Sequence, residues 1–125
     1  MIEKIYICGN PLVDNDSMPF KILKGLKEIF PKISFIEFDP TENFPDEDTV
    51  YLLDTVMGIS EVREFDDIEQ FADAPNLSVH DADLVTHLKM LKKIGKMPKF
   101  LIFGVPADGD EQKITKEVAN LISKC

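Results

Sequence analysis

Apolar and polar positions along the chain fall into two rhythms. Short β-branched or aromatic runs read as buried strands, and longer stretches with an apolar residue every three or four positions read as amphipathic helices. The first run, KIYIC (residues 4 to 8), is stopped by the breaker Gly9-Asn10-Pro11. From Pro19 onward Phe20, Leu23, Leu26, Ile29 and Phe30 recur at helical spacing, with Lys21, Lys24 and Lys27 between them, which predicts a helix ended by Pro31. ISFIEF (33 to 38), TVYLLD (49 to 54), EVREF (61 to 65) and KFLIFGV (99 to 105) supply four further strands. Leu84, Leu88, Leu91 and Ile94 mark a helix from about Asp81 to Lys93, and Ile114, Val118, Leu121 and Ile122 mark a C-terminal helix. DPTENFPDED (39 to 48) reads as a loop, since Pro40 and Pro45 leave no room for a useful helix.

Near-continuous apolar strands alternating with helices imply an α/β fold of three layers: a mainly parallel, twisted, five-stranded sheet with helices on both faces. EVREF alternates polar and apolar residues as an exposed, short edge strand would, with an antiparallel pairing open to it. The 125 residues hold no internal repeat or low-complexity tract and suffice for one core, so residues 1–125 are expected to form a single domain.

Composition narrows the class. Hydrophobic content of 44% with 30% charged residues is that of a globular chain, and no apolar run approaches the span of about 18 to 20 residues that a membrane helix needs. MIEKIYICGNP is charged at Glu3 and Lys4 and lacks the pattern of a secretion signal, which makes a cytoplasmic location the expectation. The net charge is −9, and the lysines are distributed over several segments, so nucleic acid and anionic lipid are disfavoured as partners. Cys8 and Cys125 lie at opposite ends of the chain and do not make a disulfide framework; Cys8 reads as a small buried residue at a strand end.

In an open α/β sheet, ligands gather beyond the carboxyl ends of the strands. Strand one runs out into Asp14, Asn15 and Asp16, strand two into Asp39, and strand three into Asp54, which Thr55 and Gly58 follow. His80, in SVHDAD, lies just before a helix N-terminus, a second kind of position that faces the same rim. Two or three carboxylates with one imidazole are a reasonable ligand set for a divalent metal such as nickel, zinc or iron, and would also suit acid–base work. Structural readings stand beside this one. Asp16 or Ser17 could simply cap the first helix, Asp81 and Asp83 could cap and charge the next one, His80 could be an ordinary loop residue, and His87 could pack beside its helix stripe. Asp39-Pro40 could equally be a turn. Asp54 is harder to dismiss, because a carboxylate closing an apolar central strand is costly to bury unless something binds it.

The chain has no G-x-G-x-x-G after strand one, no G-x-x-x-x-G-K-[ST], no G-x-S-x-G and no H-E-x-x-H. That disfavours the common nucleotide enzymes, α/β-hydrolases and helix-borne zinc proteases.

One set of ordered motifs does match a known pattern. YICGNPLVDNDSMPFKIL, then YLLDTVMG, then LSVHDADL before a helix, and FLIFGVP near the end together resemble the maturation endopeptidases of nickel-iron hydrogenases, in order over nearly the whole chain. The resemblance implies the phosphorylase/hydrolase-like form of the three-layer fold and a monomer. It also implies removal of a C-terminal extension from a hydrogenase large-subunit precursor once nickel has been inserted. The catalytic and metal-binding residues it implies are the same three, Asp16, Asp54 and His80, with nickel supplied by the precursor and no nucleotide required. Family members usually flank the first carboxylate with glycines, whereas Asp14 and Ser17 stand in those places here, and the second and third strands are joined without the usual helix. These departures leave open a binding or chaperone module of the same fold that recognises a metal-loaded partner without cutting it.

Overall fold

The computed structural model describes residues 2–9, 12, 16–38, 45–67, 70, 86, 88–96 and 98–125. In chain order its elements are β1 (Lys4–Ile7), α1 (Met18–Lys21), α2 (Leu23–Ile29), β2 (Ser34–Glu37), β3 (Thr49–Thr55), β4 (Arg63–Phe65), β5 (Lys99–Val105) and α3 (Glu111–Ser123). Residues 88–93, between β4 and β5, are also helical. The strands form one sheet in the order β2-β1-β3-β5-β4, parallel throughout except for β4, which pairs antiparallel with β5 at the edge.

Side chains alternate across the two faces of the central strands, and both faces are covered. One face carries Cys8, Leu52, Ile102 and Phe65 against Leu88 of the 88–93 helical stretch. The other carries Ile5, Leu53, Phe103 and Val105 against Met18, Ile22 and Leu26 from α1 and α2 and Ile114, Val118 and Ile122 from α3. This double burial explains why β3 and β5 read as continuous apolar runs and makes the arrangement a three-layer α/β fold. Each fully buried Leu, Ile or Phe contributes about 1.5–3 kcal/mol relative to exposure. Among the described residues no helix is long and apolar enough to cross a membrane.

The helix predicted from Pro19 is two short helices that meet at Ile22, and its buried stripe differs from the predicted one. Met18, Ile22 and Leu26, spaced four apart, point into the core, while Ile29 is 50% exposed. α3 starts where Asp110 accepts a hydrogen bond from the Gln112 N–H at 3.0 Å, an N-cap, and buries Ile114, Val118 and Ile122 at the same spacing. The 88–93 stretch ends at Gly95, whose φ of +74° permits a Schellman close: Gly95 N–H donates to Lys92 O and Lys96 N–H to Leu91 O.

Because β1 lies between β2 and β3, the chain joining those two strands must cross over β1. Tyr6 anchors that crossing: its ring meets Phe38 edge-on at 5.9 Å, and its hydroxyl donates to Glu47 Oε1 at 2.8 Å. The described part of the connection, Phe38 and residues 45–48, holds neither helix nor strand, as Pro40 and Pro45 predict. Cys8 is fully buried and Cys125 exposed, and neither is in a disulfide.

Candidate functional site

The carboxyl ends of β1 and β3 lie side by side, tied by the hydrogen bond from Cys8 N–H to Leu53 O at 2.9 Å. The four buried polar or charged residues among those described, Asp16, Ser17, Asp54 and Thr55, are two dipeptides that follow or close these two strands. Asp16 is 5% and Asp54 1% exposed, so two carboxylates have been taken out of water at neighbouring strand ends. The other buried side chains among the described residues are apolar, and desolvating a carboxylate costs several kcal/mol unless hydrogen bonds or a counter-charge offset it.

Local chain geometry explains how Asp16 reaches the strand end. Gly9 has φ +128°, which L residues rarely adopt, and a Cβ there would stand 2.6 Å from the Asp16 carbonyl oxygen and 3.5 Å from its Oδ1. The absence of a side chain at Gly9 therefore lets Asp16 fold back against the end of β1. Ser17 stands at the N-cap position of α1 but makes no side-chain capping bond.

Asp54 is held by the strand it closes. Its Oδ1 accepts from the Thr55 N–H at 2.8 Å, and its backbone sits in register with Gly104 of β5, which in turn faces Arg63 of β4. Positions in one register row share a face, so the Arg63 and Asp54 side chains leave the same side of the sheet, from backbones two strands and about 10 Å apart. Gly104 makes that row possible, because a Cβ there would meet the Phe65 ring at 2.7 Å and Val56 Cγ2 at 2.8 Å. The Arg63 guanidinium lies 5.5 Å from the Phe65 ring centre. Thr55 Oγ1 is buried with no hydrogen-bond partner among the described residues.

Asp16 and Asp54, predicted from opposite parts of the sequence, thus both belong to one rim. His80, the predicted imidazole ligand, lies outside the described residues, as do Asp14, Asn15, Asp39, Asp81, Asp83 and His87. Among the described residues no three His, Cys, Asp or Glu side chains converge as a metal site. Sequence reasoning missed Thr55 as a buried polar group and treated Ser17 only as a cap; the available signal was a polar pair closing an apolar run. No protein-family model matches the chain, and no curated protein or solved structure matches it either.

Proposed function

We propose that this chain is an endopeptidase that removes the C-terminal extension of a nickel-iron hydrogenase large-subunit precursor after nickel insertion. The observation that carries this reading is the burial of Asp16 and Asp54 at the ends of two adjacent strands, the two carboxylates that the ordered sequence motifs single out independently. The three-layer sheet would then be of the phosphorylase/hydrolase-like form. Nickel belongs to the substrate in this account. Asp16 and Asp54 offer carboxylate oxygens and His80 an imidazole nitrogen, donors that suit a divalent nickel ion carried in by the precursor. A precursor without nickel has nothing comparable to offer these groups, so the same residues that position the substrate also reject its unloaded form. The cost of burying two carboxylates is understandable if the free protein holds them ready for such a partner.

A binding module that recognises the loaded precursor without cutting is the second reading, motivated by Asp14 and Ser17 in place of glycines. Ser17 adopts φ −107° and ψ −5°, open to any residue, so its backbone conformation there does not require glycine. That removes one part of the case for lost cleavage. The experiment incubates the protein with nickel-loaded and nickel-free precursor and follows the intact mass of each. Shortening of the loaded precursor alone supports the peptidase; a nickel-dependent complex with no shortening supports the binding module; neither result would reject both.

A further inference from the structure

β3 closes on two polar residues whose side chains leave opposite faces of the sheet. Asp54 leaves on the side of Leu52. Thr55 leaves on the side of Leu53 and of its register partner Val105, the face that α1, α2 and α3 cover. Thr55 is 1% exposed, and its Oγ1 is buried with no hydrogen-bond partner among the described residues. A hydroxyl taken out of water without a partner costs the fold stability. Valine has the same shape and an equal preference for strands, and it would suit the apolar neighbours Leu53 and Val105 without that cost. Packing among the described residues therefore does not call for the hydroxyl.

Asp16 reaches the same face beside it. The β1–β3 register pairs Tyr6 with Leu52 and Ile7 with Leu53, and the bond from Cys8 N–H to Leu53 O continues it. Carried two positions past Ile7, that register sets Gly9 alongside Thr55, one strand spacing of about 4.8 Å away. A Cβ at Gly9 would lie 3.5 Å from Asp16 Oδ1 and 3.5 Å from Cε2 of Phe20 in α1. The space that Gly9 leaves open on the α1 face is thus edged by the Asp16 carboxylate, and Thr55 is the β3 position that the register places next to it.

We propose that Thr55 is a positioning residue for Asp16: with the nickel-loaded precursor bound, its hydroxyl donates to the Asp16 carboxylate oxygen that does not face the metal. This inference rests on the proposed function, since it needs Asp16 to engage the nickel. A carboxylate that binds a metal through one oxygen keeps lone pairs on the other, and a donor placed there fixes the direction in which the first one points. The free chain carries that donor buried, and the cost of burying it is offset only when the loaded precursor is in place. A precursor without nickel leaves the hydroxyl unused, so Thr55 sharpens the discrimination between the two forms.

The test compares the full chain with Thr55→Val and Thr55→Ser. Urea midpoints are taken for each, and intact mass is followed over a range of nickel-loaded precursor concentrations so that KM and kcat separate; if the parent binds without cutting, Kd is read in place of KM. Thr55→Val should unfold at a midpoint equal to or above the parent's, because it removes a buried hydroxyl that has no partner among the described residues. It should also raise KM for loaded precursor about tenfold or more, the usual cost of removing the hydrogen-bond partner of a metal-binding group. Affinity for nickel-free precursor should not change. Thr55→Ser keeps the hydroxyl and should keep KM near the parental value. The proposal is overturned if Thr55→Val matches the parent in KM and kcat, or if Thr55→Ser loses as much as Thr55→Val. It is also overturned if Thr55→Val unfolds at a lower midpoint than the parent, which would give the hydroxyl to the fold. A parent that neither cuts nor binds loaded precursor rejects the proposed function itself, and this inference with it.

Discussion

Replacing Gly9 by alanine tests how closely Asp16 packs on the end of β1, and Gly58 provides the control. Both glycines have positive φ, +128° and +84°. An alanine at either position therefore takes on backbone strain of about 1–3 kcal/mol. Only Gly9 adds a collision: its Cβ would lie 2.6 Å from the Asp16 carbonyl oxygen, whereas a Cβ at Gly58 meets nothing within 4 Å. A main-chain oxygen cannot rotate away as a side chain can, so the Asp16 segment must move, at an overpacking cost of about 1–3 kcal/mol. Gly9→Ala should accordingly be less stable than Gly58→Ala by about 2 kcal/mol. With a urea m-value of about 1–3 kcal/mol per molar, the two midpoints should differ by about 1 M in a circular-dichroism melt. Gly9→Ala should also lose the function that depends on Asp16, which Gly58→Ala should keep. Equal midpoints would refute the close approach of Gly9 to Asp16.

Gly104→Ala should cost about 1–3 kcal/mol by crowding Phe65 and Val56, and Phe65→Leu in the same chain should recover part of that loss in a double-mutant cycle. Tyr6→Phe should lose about 1 kcal/mol with the bond to Glu47. Burial, reinforced by the hydrogen bond and charge of Glu47, pushes the Tyr6 hydroxyl from 10.0 up to about 12. The folded chain thus holds this proton more tightly than the unfolded chain does, so the contribution is complete below about pH 10 and is lost as pH rises towards 12. Melting temperatures measured from pH 8 upwards should show a shallower alkaline decline for Tyr6→Phe than for the parent. Asp110→Ala should cost about 1 kcal/mol through loss of the α3 cap, and Asp110→Asn only a few tenths, both readable from urea midpoints.

The sequence made some parts of this architecture legible and hid others, for physical reasons. KFLIFGV and TVYLLD announced the central strands because burial on both faces leaves their interior positions without charge, and β5 spans the predicted Lys99–Val105. The first helix was harder. A stripe through Phe20, Leu23 and Leu26 and one through Met18, Ile22 and Leu26 both satisfy helical spacing, and only packing on the sheet selects the second. Strand order could not be read from local pattern, since β1 inside the sheet and β2 at its edge are equally short apolar runs. Asp16 and Asp54 were legible as rim residues because strand ends in a parallel sheet share one side. The crossing of the β2–β3 connection over β1 was not, because it depends on Tyr6 reaching Glu47 across 41 positions of sequence. Thr55 escaped notice for a related reason: a threonine beside an aspartate signals nothing until burial shows that neither faces water.

In the proposed function, the buried carboxylates at the ends of β1 and β3 serve a nickel-bearing precursor rather than the fold. The most direct measurement compares the parent chain with Asp16→Asn and Asp54→Asn, each first shown to unfold cooperatively, and follows the intact mass of nickel-loaded precursor over time. If Asp16 and Asp54 act as proposed, the parent removes the C-terminal extension while both variants leave it whole. Cleavage by both variants at the parental rate would contradict the proposal.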